Sequence, residues 1–523
     1  MTNVAFTAPH HQAAEVGLSV LKEGGSAVDA MIAAAATVAV VYPHMNSLGG
    51  DGFWLIQKPG KAPVAIDACG YAGSQATLAA YQESGIPDRG GRAAITLAGT
   101  VAGWHLARQW QGSRRCLPLQ RLLEPAEQLA RGGIKITESL VAASTKTFEA
   151  LHGVTGFAET YLDQGKTLTA GNTLCNAKLA DLIEHLYRSQ LQLEDFYRGD
   201  IGQTLSRGLA AADSPITADD LAAYQAELVT PLMVTTGKGQ LYNMVAPTQG
   251  VASLMILALY DRLYDASWSE LQRVHHLVEC TKQAFIVRDQ LVCDRSRMSV
   301  AAQELLGEPR LQAMADAISP NRAAPWPKPA EPGDTVWMGA LDADGTLVSF
   351  IQSIYWEFGS GLVLPGTGLV WNNRGVSFKL DGNHHNHLAP GIKPLHTLNP
   401  ALAVLNDGRR FSYGTMGGEG QPQTQAALFA RHIYHGLPLD EAIARDRWLL
   451  GRTWGETSTN LKMEQGLFDE LAESMTAMGH EVAPVPSGSE TMGHAGGIIL
   501  AEDGSLQVAT DPRSDGAALS AVV

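Results

Sequence analysis

Five prolines fall between Pro320 and Pro332, and they deny that stretch a helix because each fixes φ and removes an N–H donor. Directly behind them the pattern switches to period two. From Thr335 the chain runs Val336, Trp337, Met338, Gly339, Ala340, Leu341, turns through Asp342-Ala343-Asp344-Gly345, and returns through Leu347 to Ile351. Two strand-like runs about an Asp-Gly turn predict a β-hairpin. Folded about that turn, the hairpin sets Thr335 opposite Gln352 to Ile354, so the hydroxyl of Ser353 falls beside Thr335. The rest of the chain has to be arranged around an extended, exposed approach that ends on a strand headed by a hydroxyl.

Such an approach has a chemical use. If the bond between Asp334 and Thr335 is cut, Thr335 becomes an N-terminal residue carrying its α-amine and its hydroxyl on adjacent carbons. An α-amine with a pKa of ~7.7–8.0 is partly unprotonated at neutral pH and can accept the hydroxyl proton. One residue then supplies both nucleophile and base. The hairpin alone favours the plainer reading, Thr335 as an ordinary first residue of a strand.

No Gly/Ser-rich or charge-block linker divides the 523 residues, and 45% hydrophobic content allows a large core. A formal net charge of −15 argues against nucleic acid or an anionic membrane surface as partner and leaves a small molecule. Residues 1–12 lack a signal pattern, and the apolar run Ala30 to Tyr42 is too short to span a bilayer. The expected location is therefore the cytoplasm. The five cysteines, at 69, 116, 175, 280 and 293, have no CxxC spacing and read as reduced thiols. With no Walker loop, HExxH or paired CxxC, neither cofactor nor metal is expected.

Along the chain, His10 to Leu21 has helical periodicity, Gly24-Gly25 stops it, and Ser26 caps a second helix to about Val41. The glycine turn Asn46 to Gly52 precedes the strand Phe53 to Ile56 and does not fit a dinucleotide motif. From Gly99 to Leu291 the pattern is mainly helical, with apolar spacing over Pro118 to Arg131, Ala177 to Tyr187, Leu205 to Ala211, Val251 to Leu263 and Leu271 to Arg288. Beyond the hairpin, strands are predicted over Gly368 to Phe378, over Ala401 to Leu405 and up to Gly414. The loop Asp381 to His387 holds three histidines but no accompanying ligand cluster, so it reads as a solvated loop. Gly417 and Gly418 precede a helix that starts at Pro422 and runs to about His435. Their successive N–H groups beside a nucleophile are what an oxyanion hole needs.

Eight segments now come together: LKEGGSAVDA (21–30), NSLGGDGFWLI (46–56), AGTVAGW (98–104), DTVWMGALDADG (334–345), NNRG (372–375), PLHTLNP (394–400), GTMGGEGQPQTQ (414–425) and TDPRSDG (510–516). In this order the chain resembles the γ-glutamyltransferase family of N-terminal nucleophile hydrolases over nearly its full length. The resemblance implies an α+β fold, a four-layer αββα sandwich. It also implies self-cleavage between Asp334 and Thr335 into a large chain, 1–334, and a small chain, 335–523, intertwined in one domain. The expected assembly is these two chains or a homodimer of them. Thr335 matches the nucleophile, Ser353 the second hydroxyl that orients its amine, and Gly417 and Gly418 the oxyanion glycines. Asn372, Arg374, His396 and Thr397 fall on loops that line the acyl pocket.

Two departures bear on the substrate. Cys69 stands where relatives acting on glutathione carry an arginine for the glutamyl α-carboxylate, and Ser377 where they carry an aspartate for the α-amino group. The resemblance is strongest to a hydrolase branch of the family. It implies an amidohydrolase acting on a small carboxylate-bearing amide, with oxamate going to oxalate and ammonia late in purine breakdown. The alternative is a γ-glutamyl or glutaryl (cephalosporin-type) acylase or transferase. An uncleaved, inactive binding or scaffold protein is a third reading, and it predicts one unbroken chain.

Overall fold

The computed structural model describes residues 2–326, 334–451 and 459–523, and in it two β-sheets lie face to face. The first sheet runs in the order Ala517–Val522, Asn3–Ala8, Asp334–Leu341, Leu347–Tyr355, Asp51–Gln57, Val64–Ala68, Glu227–Val229. The second runs Leu506–Thr510, Ala495–Leu500, Arg410–Thr415, Ala401–Leu405, Gly239–Asn243, Leu232–Thr236. Helices His11–Lys22 and Ala27–Val41 cover the outer face of the first sheet, and Gly250–Leu263 and Gln421–Phe429 cover that of the second. This is the αββα sandwich. Among the described residues no helix is long and apolar enough to cross a membrane.

Three apolar layers follow from that stacking. Ala27–Val41 is buried along its whole length, which is why it reads as alanine and valine on every face rather than as an amphipathic stripe. It packs with the outer face of the first sheet around Trp54, Met338 and Phe350. A second outer layer joins Gly250–Leu263 to Phe411 and Phe429. Between the sheets lie Phe53, Trp337, Leu398, Leu402 and Ile498. Trp337 needs flat neighbours, and glycines supply them: a Cβ at Gly414 would sit 2.2 Å from Trp337 Cδ1, and one at Gly496 2.6 Å from Cζ3. Its indole Nε1 donates to Ser349 Oγ at 2.9 Å. The strand is thus clamped two residues beyond Thr335.

The hairpin forms over Asp334–Leu341 and Leu347–Tyr355. Its turn is fixed by Asp342, whose Oδ1 accepts from the N–H groups of Asp344 (3.0 Å) and Thr346 (2.9 Å) while Oδ2 accepts from Ala27 N at 2.9 Å. One carboxylate therefore ties the turn to the start of the central helix. Asp342→Ala leaves those N–H groups without their acceptor and should cost about 1–3 kcal/mol, read as a lowered denaturant midpoint at unchanged m-value.

The helices appear where apolar spacing places them, for example Leu119–Gly132, Ala177–Arg188 and Glu270–Leu291. Ser26 caps its helix through Asp29 N as expected. Three features differ. Asn3–Ala8 is a strand inside the first sheet. Leu232–Thr236 and Gly239–Asn243 form a hairpin within the stretch read as mainly helical. Over Gly368 to Phe378 only Leu369–Val370 is strand, and Arg374–Ser377 is a 3₁₀ turn, because Asn372 Oδ1 takes the Arg374 N–H and bends the chain. The expected extended approach falls partly on residues 327–333, which lie outside the described residues.

Candidate active site

Thr335 is fully buried at the head of its strand, facing the return strand at a β-bulge. The register pairs Val336 with Gln352 and Asp334 with Tyr355, so Thr335 lies against Ser353 and Ile354. A bulge re-aims side chains where it interrupts a ladder. Here Ser353 Oγ accepts the Tyr355 N–H at 2.8 Å, and Tyr355 is held at φ 85, a left-handed value that costs a non-glycine residue about 1–2 kcal/mol. Thr335 Oγ1 accepts from Gln421 Nε2 at 3.3 Å, and Gln421 Oε1 takes the Asn399 N–H at 3.2 Å. Gln421 opens the helix Gln421–Phe429, so the hydroxyl sits at that helix's positive end.

Gly417 and Gly418 precede this helix with φ of 118 and 52, in the left-handed region that favours glycine. Among the described residues, neither glycine N–H donates to a backbone carbonyl. Gln249 locks the loop in place. Its Nε2 donates to Gly418 O and Thr397 O, each at 2.8 Å, and its Oε1 accepts from Arg288 Nη1 at 2.8 Å. Arg288 also pairs with Glu419 at 2.7 Å. Gln249 thereby fixes the glycine loop relative to the Thr397 loop, although nothing in its sequence context marks it.

A cavity of about 160 Å³ opens between these loops, lined among others by Tyr355, Ser377, His396, Thr397, Arg288 and Glu419. Lys379, His384 and His385 form part of its wall, so part of the histidine loop faces a cavity. A larger cavity of about 830 Å³ lies at the turn end of the hairpin, around Asp342, Gly345 and Arg410, and touches none of the site residues.

Behind the wall formed by Tyr355 and Thr397 lies a buried charged group. Arg374 is fully buried, donates to Thr397 Oγ1 at 3.1 Å, and stacks its guanidinium 3.9 Å from the centre of the Tyr355 ring. Asp51, which the sequence presents only as part of a glycine turn, accepts from His396 Nε2 at 2.9 Å and from Gly70 N at 2.8 Å, and lies 3.8 Å from Arg374 Nε. Burial pushes its carboxyl up to about 7, against the opposing pull of Arg374, the Gly70 N–H and Lys393. His396 is held well below the ordinary imidazole range by burial and then by Arg374. Its Nδ1 accepts from Leu398 N at 3.3 Å, so both ring nitrogens are used within the protein. Asn372 is likewise committed: its Nδ2 donates to Gly49 O at 2.9 Å, and its Oδ1 accepts from Thr96 Oγ1 at 2.8 Å.

Cys69 is buried beside Asp51 and His396. Burial, followed by the nearby Asp51 and Asp67 carboxylates, raises its thiol well above the usual range, so it is neutral and offers an anion no charge. Two groups of ligand-type side chains converge, Asp51 with Cys69 and His396, and His275 with Glu279 and His480. Each already contains a protein cation next to its carboxylate: Arg374 in the first, and Lys282 at 2.7 Å from Glu279 in the second. A bound metal would have to compete with those cations.

A family model described as Gamma-glutamyltranspeptidase matches residues 13–521. The chain is 50% identical to the oxamate amidohydrolase proenzyme of Klebsiella pneumoniae subsp. pneumoniae over 522 residues, covering 99% of this chain and 98% of that one. It is 35% identical to the glutathione hydrolase-like YwrD proenzyme of Bacillus subtilis, with coverage of 99% and 98%. Among solved structures, a cephalosporin acylase from Bacillus halodurans superposes with a TM-score of 0.90 at 28% identity, over 99% of this chain and 96% of that one.

Proposed function

The chain belongs to the gamma-glutamyltranspeptidase family, and from that premise we propose that it is a self-processing amidohydrolase whose Thr335 hydrolyses a small carboxylate-bearing amide, oxamate, to oxalate and ammonia. The observation that carries the reading is the buried Thr335 hydroxyl, which lies against Ser353 at the β-bulge and accepts from Gln421, the first residue of the helix that Gly417 and Gly418 precede. The likeness to the oxamate amidohydrolase proenzyme supports the substrate.

Maturation and turnover use the same groups. In the uncut chain the Thr335 hydroxyl attacks the Asp334 carbonyl, an N→O shift gives an ester, and water opens it into chains 1–334 and 335–523. The freed α-amine then takes the hydroxyl proton as Thr335 adds to the substrate amide carbonyl. The Gly417 and Gly418 N–H groups hold the developing oxyanion. Ammonia leaves with the proton, and water, activated by the same amine, hydrolyses the acyl ester. Ser353 orients the amine.

Substrate choice rests on Arg374. With the thiol of Cys69 and the hydroxyl of Ser377 in place of charged groups, an amino-acid head group has no reader of the family's usual kind. Oxamate carries its carboxylate directly on the scissile carbonyl, so one guanidinium and the Thr397 hydroxyl suffice. His396 and Asn372 brace the pocket rather than donate into it.

Competition between oxamate, a γ-glutamyl anilide and a glutaryl amide, scored by kcat/KM, tests the reading. Oxamate should be preferred by at least ~100-fold, about 2.7 kcal/mol in the barrier. A preference for either larger donor would replace it with the acylase or transferase alternative.

A further inference from the structure

We propose that Asp51 is a positioning residue of the acyl pocket: it is the resident counter-ion of Arg374, and it gives up its charge by taking a proton from solvent when an acid substrate settles beside that arginine. The proposal rests on the reading of Arg374 given above and adds to it a residue and a proton.

The position of Asp51 is the first argument. It stands between Gly50 and Gly52 at the head of the strand Asp51–Gln57, fully buried, directly opposite Ser353 in the register of the two strands. A buried carboxylate is costly unless donors and a counter-charge surround it, and here two donors and one cation do. Gly70 N holds Oδ1, His396 Nε2 holds Oδ2, and Arg374 Nε lies 3.8 Å from the same oxygen. Because Leu398 N donates to His396 Nδ1, the imidazole proton must be on Nε2, pointing at Asp51. His396 is therefore a neutral strut that connects Asp51 to the Thr397 loop, while Arg374 reaches the same loop through Thr397 Oγ1. Removing Asp51 would release both.

The charge count supplies the second argument. The groups facing Asp51 are the Arg374 cation, the neutral imidazole of His396, the thiol of Cys69 and the Gly70 N–H, with the neutral Tyr197 and Tyr224 hydroxyls beyond them and Lys393 paired to Asp67 at 2.9 Å, which Arg295 also meets, and to Glu227 at 3.1 Å. Among the described residues facing Asp51 directly, one cation stands against one anion. A substrate carboxylate pairing with Arg374 makes a second anion in the same buried volume, and two carboxylates so placed hold one proton between them. An acid with a carbonyl on its α-carbon is the stronger of the two, so the proton goes to Asp51, whose carboxyl burial has already raised to about 7.

The sign follows directly. An acid substrate binds best to the protonated form, so its KM is lowest at acid pH and rises as pH climbs through the Asp51 range, approaching about tenfold per pH unit above it. The chemical step has its own pH dependence through the Thr335 amine and does not share this slope. A neutral analogue with the same scissile group, oxamide, brings no second anion.

Steady-state kinetics of the mature enzyme from about pH 6 to about pH 9, with oxamate and with oxamide, provide the test, together with Asp51→Asn. The expected result is a KM for oxamate that rises steeply with pH in the wild type, against a flat KM for oxamide and a flat KM for oxamate in Asp51→Asn. A flat oxamate KM in the wild type, or an unchanged slope in Asp51→Asn, overturns the proposal. If Asp51→Asn does not mature, the oxamate and oxamide comparison in the wild type decides alone. If oxamate is not turned over while a glutaryl amide is, the substrate reading fails instead, and the same slope is then read on that acid donor.

Discussion

Thr335→Ala should remain one unbroken chain under conditions in which the wild type separates into chains 1–334 and 335–523, and its amidase activity should fall on the order of 10⁶-fold, the scale seen when an acyl-transfer nucleophile is removed. Both losses come from one oxygen. The hydroxyl that attacks the Asp334 carbonyl is the one that later attacks the substrate, and an uncut chain has no free α-amine to serve as base. Its surroundings should stay intact in the variant, because Gln421 keeps its bond to Asn399 N and Trp337 still fills the space between the sheets. The chain pattern on a denaturing gel and the rate of ammonia release are the two readouts. Normal processing of Thr335→Ala would mean that the cleavage nucleophile lies elsewhere.

The second large effect is expected at the glycine loop. Gly418 has φ 52, where a β-branched residue is strained, and its carbonyl is held by Gln249. Gly418→Val should twist the loop and carry the N–H donors of Gly417 and Gly418 away from the oxyanion. The expected loss in kcat is about 10²- to 10³-fold, or ~2.7–4 kcal/mol, with a smaller change in KM. Full kcat in a folded Gly418→Val protein would remove the oxyanion assignment. A rise in KM alone would point to a role in substrate binding.

Local chemistry decided what could be read from the sequence. The hairpin was legible because an Asp-Gly turn and period-two alternation are written in consecutive residues, and the helix Ala27–Val41 because its cap, Ser26, adjoins its apolar run. Asn3–Ala8 was not legible. Its neighbours in the sheet are Ala517–Val522 and Asp334–Leu341, and a short strand given its place by partners at the far end of the chain carries little signal of its own. The strands Leu232–Thr236 and Gly239–Asn243 did carry one, a Gly-Lys turn between β-branched and aromatic residues, but the helical pattern on either side masked it.

The site divides in the same way. Thr335, Ser353, Gly417 and Gly418 could be picked out because each sits in a distinctive turn, strand or family segment. Asp51, Tyr355, Gln249 and Gln421 could not, since what matters in each is a contact made across the fold. Asp51 looks like one more turn residue until Arg374 and His396 arrive from the other end of the chain. Arg374 was expected on a loop lining the acyl pocket, and its burial against Tyr355 and Thr397 could not be read from that loop. Cys69 and Ser377 could be picked out in the sequence as departures from the family pattern, and the packing adds that Cys69 is a buried neutral thiol beside a carboxylate.

The central claim is that cleavage exposes Thr335 as the N-terminal nucleophile. Intact-mass analysis of the wild-type protein, alone and quenched during turnover of a slow amide substrate, tests it most directly. The account predicts two masses, corresponding to residues 1–334 and 335–523, with the acyl group appearing transiently on the chain whose first residue is Thr335. A single unbroken mass in a preparation that hydrolyses the amide, or an acyl group on the larger chain, would contradict it.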